Sequence, residues 1–422
     1  MIIYNLFPLL AGDVRDWTPH LARAAEMRFD WIFVNPVQQP GFSGSLYSIK
    51  DYFDFNPLIV AGANPPERAS HFRRMAAEAE KLGLKLMMDL VANHCAIDSQ
   101  LTKDHPAWFA HQDGKIAHPF CLQDKKKVVW KDLAQFDHKT GRDPEGLYQY
   151  FLKVVEHLVD LGIKGFRCDA AYQVPESFWR RLIGETKSRH DDIVFLAETL
   201  GCSPIETAQT AQAGFEFIFN SSKWWDFRSP WLIDQYNLTR EFAKSVSFPE
   251  SHDTLRLAEE VNGNVDAIKQ RYLFSALFSA GVMIPTGFEH GFGKPLHVVK
   301  TRPADWEKTE INLTGFIRAM NTVKLENPVF QEDAPTDILR ADNPEVLFMR
   351  KSSPHSPEQA LLILNRDVFN QQHFSADNLY DNLHTPGPLR DVSPEYPLDF
   401  ISRPFQYDLR PGQGIVLVTG KS

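Results

Sequence analysis

Residues 147–171 read LYQYFLKVVEHLVDLGIKGFRCDAA, and two periodicities meet inside that stretch. Leu147, Tyr150, Phe151, Val154, Val155, Leu158 and Val159 recur at three- and four-residue steps, which puts them on one apolar stripe of a helix. Gly162 stands where that helix would end. A strand-like run, Gly165–Ala171, follows at once and carries Arg167 and Asp169 among apolar neighbours. The same alternation extends in both directions. Ile2–Phe7, Trp31–Val37, Leu84–Val91, Val194–Leu200, Phe215–Asn220, Ser245–Pro249 and Val282–Thr286 read as further strands, with helical stretches between most of them. One helix is expected over Asp16–Met27. Another starts at Asn64-Pro65-Pro66 and carries Phe72, Met75, Ala76, Ala79 and Leu82 to a stop at Gly83. Strands alternating with helices in this way predict a parallel sheet closed into an α/β (β/α)8 TIM barrel. An open doubly wound sheet is the rival, but no G-x-G-x-x-G follows the first strand.

After about Asn327 the texture changes. Asp337–Ala341, Glu345–Lys351, Ala360–Asn365 and Gly414–Thr419 are short strand-like runs between Pro, Asn and Asp clusters. The expected division is a catalytic barrel over 1–327 and a C-terminal antiparallel, sandwich-like β-domain over 328–422. Within the barrel, 95–145 form a short inserted loop domain after the third strand, too long for an ordinary connection and rich in His, Asp and Lys.

Composition narrows the function classes. The 422 residues are 43% apolar and 23% charged, which excludes a disordered, collagenous or coiled-coil chain. No apolar run approaches the length of a membrane span. The net charge of -9 argues against nucleic-acid backbone binding. Cys95, Cys121, Cys168 and Cys202 form no C-x-x-C pair, so neither a zinc ribbon nor a thioredoxin-type site is expected. The first residues lack the basic region and cleavage site of a signal peptide, and a cytoplasmic enzyme is the expectation.

In an α/β barrel, chemistry gathers at the C-terminal ends of the strands. The third strand ends in Asp89-Leu90-Val91-Ala92-Asn93-His94, and the fourth holds Arg167-Cys168-Asp169. The fifth ends in Ala197-Glu198, and the seventh leads into Glu250-Ser251-His252-Asp253. One Asp at a strand end is as readily a helix cap, and one His a satisfied structural group. Acids, histidines and an arginine at the same end of successive strands are hard to explain as packing. Strand alternation turns Cys168 away from them, and it places Arg167 and Asp169 on one face.

DLVANH, GFRCDAA, the Glu of FLAETLG, and FPESHD resemble, in order, the four signature regions of the α-amylase superfamily, glycoside hydrolase family 13. VWKDLAQF (129–136) resembles an additional region of that family. Ser45–Tyr52 resembles the stretch after the second strand that carries a sugar-stacking tyrosine. The resemblance implies Asp169 as nucleophile, Glu198 as acid/base and Asp253 as the third catalytic carboxylate, in a retaining two-step mechanism. It implies that Arg167 holds Asp169 ionised and aimed, that His94 and His252 hydrogen-bond the sugar, and that Tyr47 stacks on it. Asp89, Asn93 and Asp51 are expected as supporting residues, with Asn93 tethering the long loop.

Where many family members carry Lys-His after the nucleophile, this chain has Ala170-Ala171-Tyr172-Gln173, which puts the usual acceptor subsite and calcium in question. Asp132 is a possible calcium ligand, but too few other acids support it, so no metal or cofactor is expected. Lys125-Lys126-Lys127 are read as a solvated run that could bind a phosphorylated donor. Trp224, Trp225 and Trp231 form either a glucan platform or packing for the next helix. Glu289 is expected to face the mouth. The leading expectation is an α-amylase-like hydrolase of α-1,4-linked malto-oligosaccharides. The alternatives are a transglycosylase, such as a maltosyltransferase using maltose 1-phosphate, and, more distantly, a non-catalytic carbohydrate-binding relative. The expected partner is an oligosaccharide, and the oligomeric state is open.

Overall fold

The computed structural model describes residues 1–123 and 126–419. Eight parallel strands close into a barrel: β1 Ile2–Leu6, β2 Trp31–Val34, β3 Lys85–Leu90, β4 Ile163–Cys168, β5 Val194–Ala197, β6 Phe217–Phe219, β7 Lys244–Ser247 and β8 Gly281–Pro285. Each hydrogen-bonds to its sequence neighbours, and β8 closes on β1 through Ile2 opposite Val282. The helices that follow them are α1 Thr18–Glu26, α2 Pro65–Lys81, α3 Pro144–Asp160, α4 Glu176–Arg189, α5 Pro204–Ala211, α6 Trp231–Thr239, α7 Val265–Phe278 and α8 Thr314–Glu326. Helix starts follow their side chains. The Asn64 side chain accepts from Glu67 N–H at α2 and Asp143 from Gly146 N–H at α3, each with a proline in the first turn.

Strand alternation sorts the apolar residues into two layers. Ile3, Trp31, Phe33, Met87, Leu196, Phe219, Val246 and Met283 fill the barrel interior, while residues such as Ile2, Tyr4, Leu86, Phe166 and Ile284 pack outward under the helices. A side chain on Gly165 would come within 2.8 Å of the Trp31 ring, so that interior layer admits only glycine opposite the indole. Several strands are shorter than the apolar runs that announce them: Val194–Leu200 is hydrogen-bonded only as far as Ala197. Beyond the ladder Glu198 and Thr199 stay buried at the mouth although they make no strand pairing.

The C-terminal domain has a five-stranded antiparallel sheet built from β9 Thr336–Leu339, β10 Val346–Ser352, β11 Gln359–Asn365, β13 Leu389–Asp391 and β15 Gly414–Thr419. A second sheet pairs β12 Gln372–Ala376 with β14 Phe405–Leu409, and Phe348, Ile363, Phe374, Phe405 and Leu417 pack into one core with it. Helix α7 lies between the two domains, and every residue from Tyr272 to Phe278 is buried, as the internal half of a helix must be. Its C-terminal carbonyls accept from a buried lysine of the β-domain, Lys351, whose ammonium reaches Phe278 O at 2.7 Å. Burial lowers that lysine to about 8.

Candidate active site

At the C-terminal end of the barrel, β3 and β4 run in register with Asp89 opposite Arg167. The pairing puts the guanidinium between carboxylates. Arg167 Nη1 lies 2.6 Å from Asp89 Oδ1 and 2.7 Å from Asp169 Oδ1, and Nη2 lies 3.9 Å from both Glu198 Oε2 and Asp253 Oδ2. One buried cation thus serves carboxylates from β3, from the residue after β4, and from the connections after β5 and β7. Neutralisation is incomplete, and burial shows in the protonation. Burial raises Asp89 to about 6 against the pull of Arg167, and it raises Glu198 to about 7, with Asp169 adding to the rise.

Glu198 is held by main chain. Its Oε2 accepts from Ala170 N–H at 2.8 Å and its Oε1 from Leu200 N–H at 2.5 Å. Ala170 takes a left-handed conformation (φ +41°), unusual for a residue with a Cβ, and that twist directly after Asp169 turns its N–H toward the acid. Asp169 is anchored by its own N–H to Leu90 O.

Tyr47 closes the other side. Its hydroxyl lies 2.7 Å from both Asp89 Oδ2 and His252 Nε2 and accepts from Asn35 Nδ2 at 3.0 Å. Its ring stacks on His252 at 5.9 Å and 8°. His252 Nε2 also meets Asp253 Oδ2 at 3.0 Å. Burial raises the Asp253 carboxyl, but His252 and Arg167 outweigh it and hold it at about 2. With its side chain 52% exposed, Asp253 is the most open acid of the group. His94 spends Nε2 on Tyr47 O (3.1 Å), and its Nδ1 and that of His252 are buried without a protein partner.

The fold therefore brings together Asp169, Glu198, Asp253, Arg167, Asp89, Tyr47, His94 and His252. Asn93 sits at the edge: its Nδ2 donates to Gln173 and its carbonyl accepts from Phe136 N–H, which ties the inserted loop to the barrel. Asp51 does not join them, being exposed on the short strand Ile49–Phe55 with its carboxylate accepting from Phe53 N–H. Glu289 also departs from expectation. Fully buried, it accepts from the Tyr4 hydroxyl (2.7 Å), Arg23 Nε (2.9 Å) and Gly287 N–H (3.0 Å), so both oxygens are already held by the protein and neither reaches the mouth. The tryptophans split: Trp225 is buried against Phe227, Phe274 and Phe278, whereas Trp224 is exposed and set edge-on to Phe248 beside the β7 end. Lys125 lies outside the described residues, as do the surroundings of the Lys126 side chain. Among the described residues no three His, Cys, Asp or Glu side chains converge as a metal would need, and Asp132 meets Ile97 through its backbone carbonyl.

Sequence reasoning missed two supports. Glu250 and Arg256 form a fully buried pair at 3.0 Å, and Arg256 Nη2 donates to Thr286 O, which fixes the loop bearing His252 and Asp253. The spacing of both charges within FPESHDTLR was the available signal. Asn35 orients Tyr47 and carries the same strand-end signature as Asn93.

The family model for the glucanotransferase domain of glycogen debranching enzyme matches residues 1–112. The α-1,4-glucan:maltose-1-phosphate maltosyltransferase of Burkholderia pseudomallei is 23% identical over 85% of this chain and 32% of its own length. A maltosyltransferase of the same description from Streptomyces coelicolor is 26% identical over 92% of this chain and 62% of its own. The chain thus spans less than two thirds of either relative. Among solved structures, the α-amylase of Geobacillus thermoleovorans complexed with acarbose superposes with a TM-score of 0.79 at 18% identity, covering 100% of this chain and 98% of that one. The closed barrel with its C-terminal antiparallel sheet is the α-amylase fold. The matched family model, the curated relatives and the solved structures all point to the α-amylase superfamily, whose enzymes are glycoside hydrolases and transglycosylases. Among the described residues no helix is long and apolar enough to cross a membrane.

Proposed function

We propose that this chain is a retaining α-glucan transglycosylase that moves a maltosyl unit from a donor to the 4-hydroxyl of an α-1,4-glucan. The observation that carries the chemistry is Arg167, shared by Asp169 and by a Glu198 that titrates near neutrality. Two displacements at one carbon require an ionised nucleophile beside an acid that still holds its proton. Asp169 attacks the anomeric carbon of the donor. The bond to the departing oxygen breaks, and that oxygen takes the Glu198 proton. Glu198, now ionised, removes the proton of the incoming hydroxyl, which attacks the same carbon and releases Asp169. Asp253, His94 and His252 bind hydroxyls of the reacting sugar, and Asp89 and Tyr47 hold the frame. No metal or cofactor enters the scheme.

Transfer is favoured over the hydrolysis expected from sequence because the similar curated proteins are described as maltosyltransferases. Maltose 1-phosphate is the donor proposed by the same likeness. Hydrolysis is the second reading, favoured by the half-exposed Asp253, which water can reach. Incubating maltoheptaose with and without inorganic phosphate separates them. Elongated products, or maltose 1-phosphate formed only with phosphate, support transfer. Shortened products bearing solvent oxygen, with neither of those, establish hydrolysis.

A further inference from the structure

Alternation places Ile3, Phe33 and Met87 inside the barrel, and the next inward positions toward the mouth are Asn5 of β1, Asn35 just past β2 and Asp89 of β3. A polar layer therefore caps the apolar one, and all three side chains are fully buried. Asp89 serves Arg167, whereas the two asparagines touch none of the three catalytic acids. Asn5 is also incompletely satisfied, because its Oδ1 is buried without a protein partner. An apolar residue would pack at that position without the cost, so packing alone does not account for the pair.

What the pair supplies is direction. Asn5 Nδ2 lies 3.1 Å from Phe33 O and 2.9 Å from Asn35 Oδ1. A main-chain carbonyl can only accept, so it fixes which end of the Asn5 amide faces it. Asn5 gives its second N–H to the Asn35 oxygen, and Asn35 Nδ2 is left to donate to the Tyr47 hydroxyl at 3.0 Å. His252 closes the count. Its Nε2 lies 2.7 Å from the Tyr47 oxygen and 3.0 Å from Asp253 Oδ2. Asp253 stays ionised at about 2, burial being outweighed by His252 and Arg167. A carboxylate accepts, so Nε2 carries a hydrogen and donates to Tyr47 as well. Both lone pairs of the Tyr47 oxygen are then filled, and its one proton has a single outlet, Asp89 Oδ2 at 2.7 Å.

We propose that Asn5 and Asn35 are positioning residues: anchored on Phe33 O, they commit the Tyr47 proton to Asp89 and so keep Asp89 an anion that shares Arg167 Nη1 with Asp169. If Asp89 took a proton, the guanidinium charge would fall on Asp169 alone and blunt its attack. The charged and titratable groups that face Asp89 are Arg167, Asp169, His252 and Tyr47. The effect on rate rests on the nucleophile reading of Asp169, whereas the direction of the hydrogen bonds does not.

The test uses α-maltosyl fluoride, which isolates the first step because its leaving group needs no proton from Glu198. In the unmodified chain that rate should fall as pH drops through about 6, where Asp89, raised by burial, takes a proton. Asn35→Asp keeps the shape and reverses the polarity, so Tyr47 donates to residue 35 and Asp89 loses its donor. The limb should then move up by about one pH unit, with KM nearly unchanged. The new carboxylate also brings a charge, so the same exchange is made in Tyr47→Phe. With no hydroxyl to redirect, Asn35→Asp should there leave the limb where Tyr47→Phe puts it. An unmoved limb in Asn35→Asp alone, or an equal shift in both backgrounds, overturns the proposal. If Asn35→Asp lowers the melting temperature, neutron diffraction of the unmodified chain decides. A deuteron on the line from the Tyr47 oxygen to Asp89 Oδ2 supports the assignment, and one pointing to Asn35 or His252 overturns it. A chain that turns over neither the fluoride nor maltoheptaose removes the function reading, and the deuteron still decides the direction.

Discussion

Arg167 and Arg23 each meet a buried carboxylate of the same barrel, but in different ratios. Arg167 stands within 4 Å of Asp89, Asp169, Glu198 and Asp253. Arg23 has Glu289 as its partner, with the Tyr4 hydroxyl completing the set. Around Arg23 charge is balanced and every Glu289 oxygen is occupied, so the cluster clamps α1 to β1 and β8. Around Arg167 negative charge is in excess, and protons are the cheapest way to relieve it. A surplus of acids around one cation marks chemistry, whereas a matched pair marks a strut.

That contrast can be broken by exchanging single atoms. Asp169→Asn should lower turnover of maltoheptaose by about 10³-fold or more, measured as product formation by chromatography, with the melting temperature nearly unchanged. A variant that retained even a tenth of the activity would remove Asp169 from the nucleophile role. Glu198→Gln should cost about 10²–10⁴-fold on glucan donors, but much less in the first step with α-maltosyl fluoride, whose leaving group needs no proton. In the unmodified chain, glucan turnover should fall as pH rises through about 7, where Glu198 loses the proton the first step needs. That descending limb should be missing with the fluoride.

At the strut, Glu289→Gln should destabilise by about 3 kcal/mol in chemical denaturation, since Arg23 is left without its counter-charge, while activity per folded molecule stays near wild type. A large drop in activity at unchanged stability would restore Glu289 to the substrate site. A smaller effect separates the clusters by pH. Asp89 and Glu198 are both raised above their unfolded values, so between about pH 4 and 7 the folded chain holds protons that the unfolded chain has released. Stability therefore falls as pH rises through that window, and Glu198→Gln should flatten the slope. Smallest of all, Asp51→Asn should change stability by less than about 0.5 kcal/mol and leave activity alone.

Much of this was readable before folding. The barrel announced itself through alternating periods, and the site through charged residues at strand ends, because a carboxylate at the end of an apolar strand has few structural excuses. Glu198 directly follows β5, whereas Glu289 lies four residues beyond β8, yet residue type and strand-end position alone did not tell the strut from the acid. The β-domain shows the same limit. Phe405–Leu409 alternates, with Phe405 and Leu409 buried, yet it is absent from the strands expected from sequence. Leu389–Asp391 is too short to carry a period, and its strand character comes from pairing with β15.

The sequence by itself therefore determined the element order, the barrel and the set of acids that gather at its mouth, since periodicity and strand-end placement are properties of neighbours along the chain. Tertiary structure alone decided which acid keeps a proton, which tryptophan faces solvent and which arginine is shared. Those depend on distances between groups far apart in sequence and on how much water remains around them, and neither quantity is encoded at any single position.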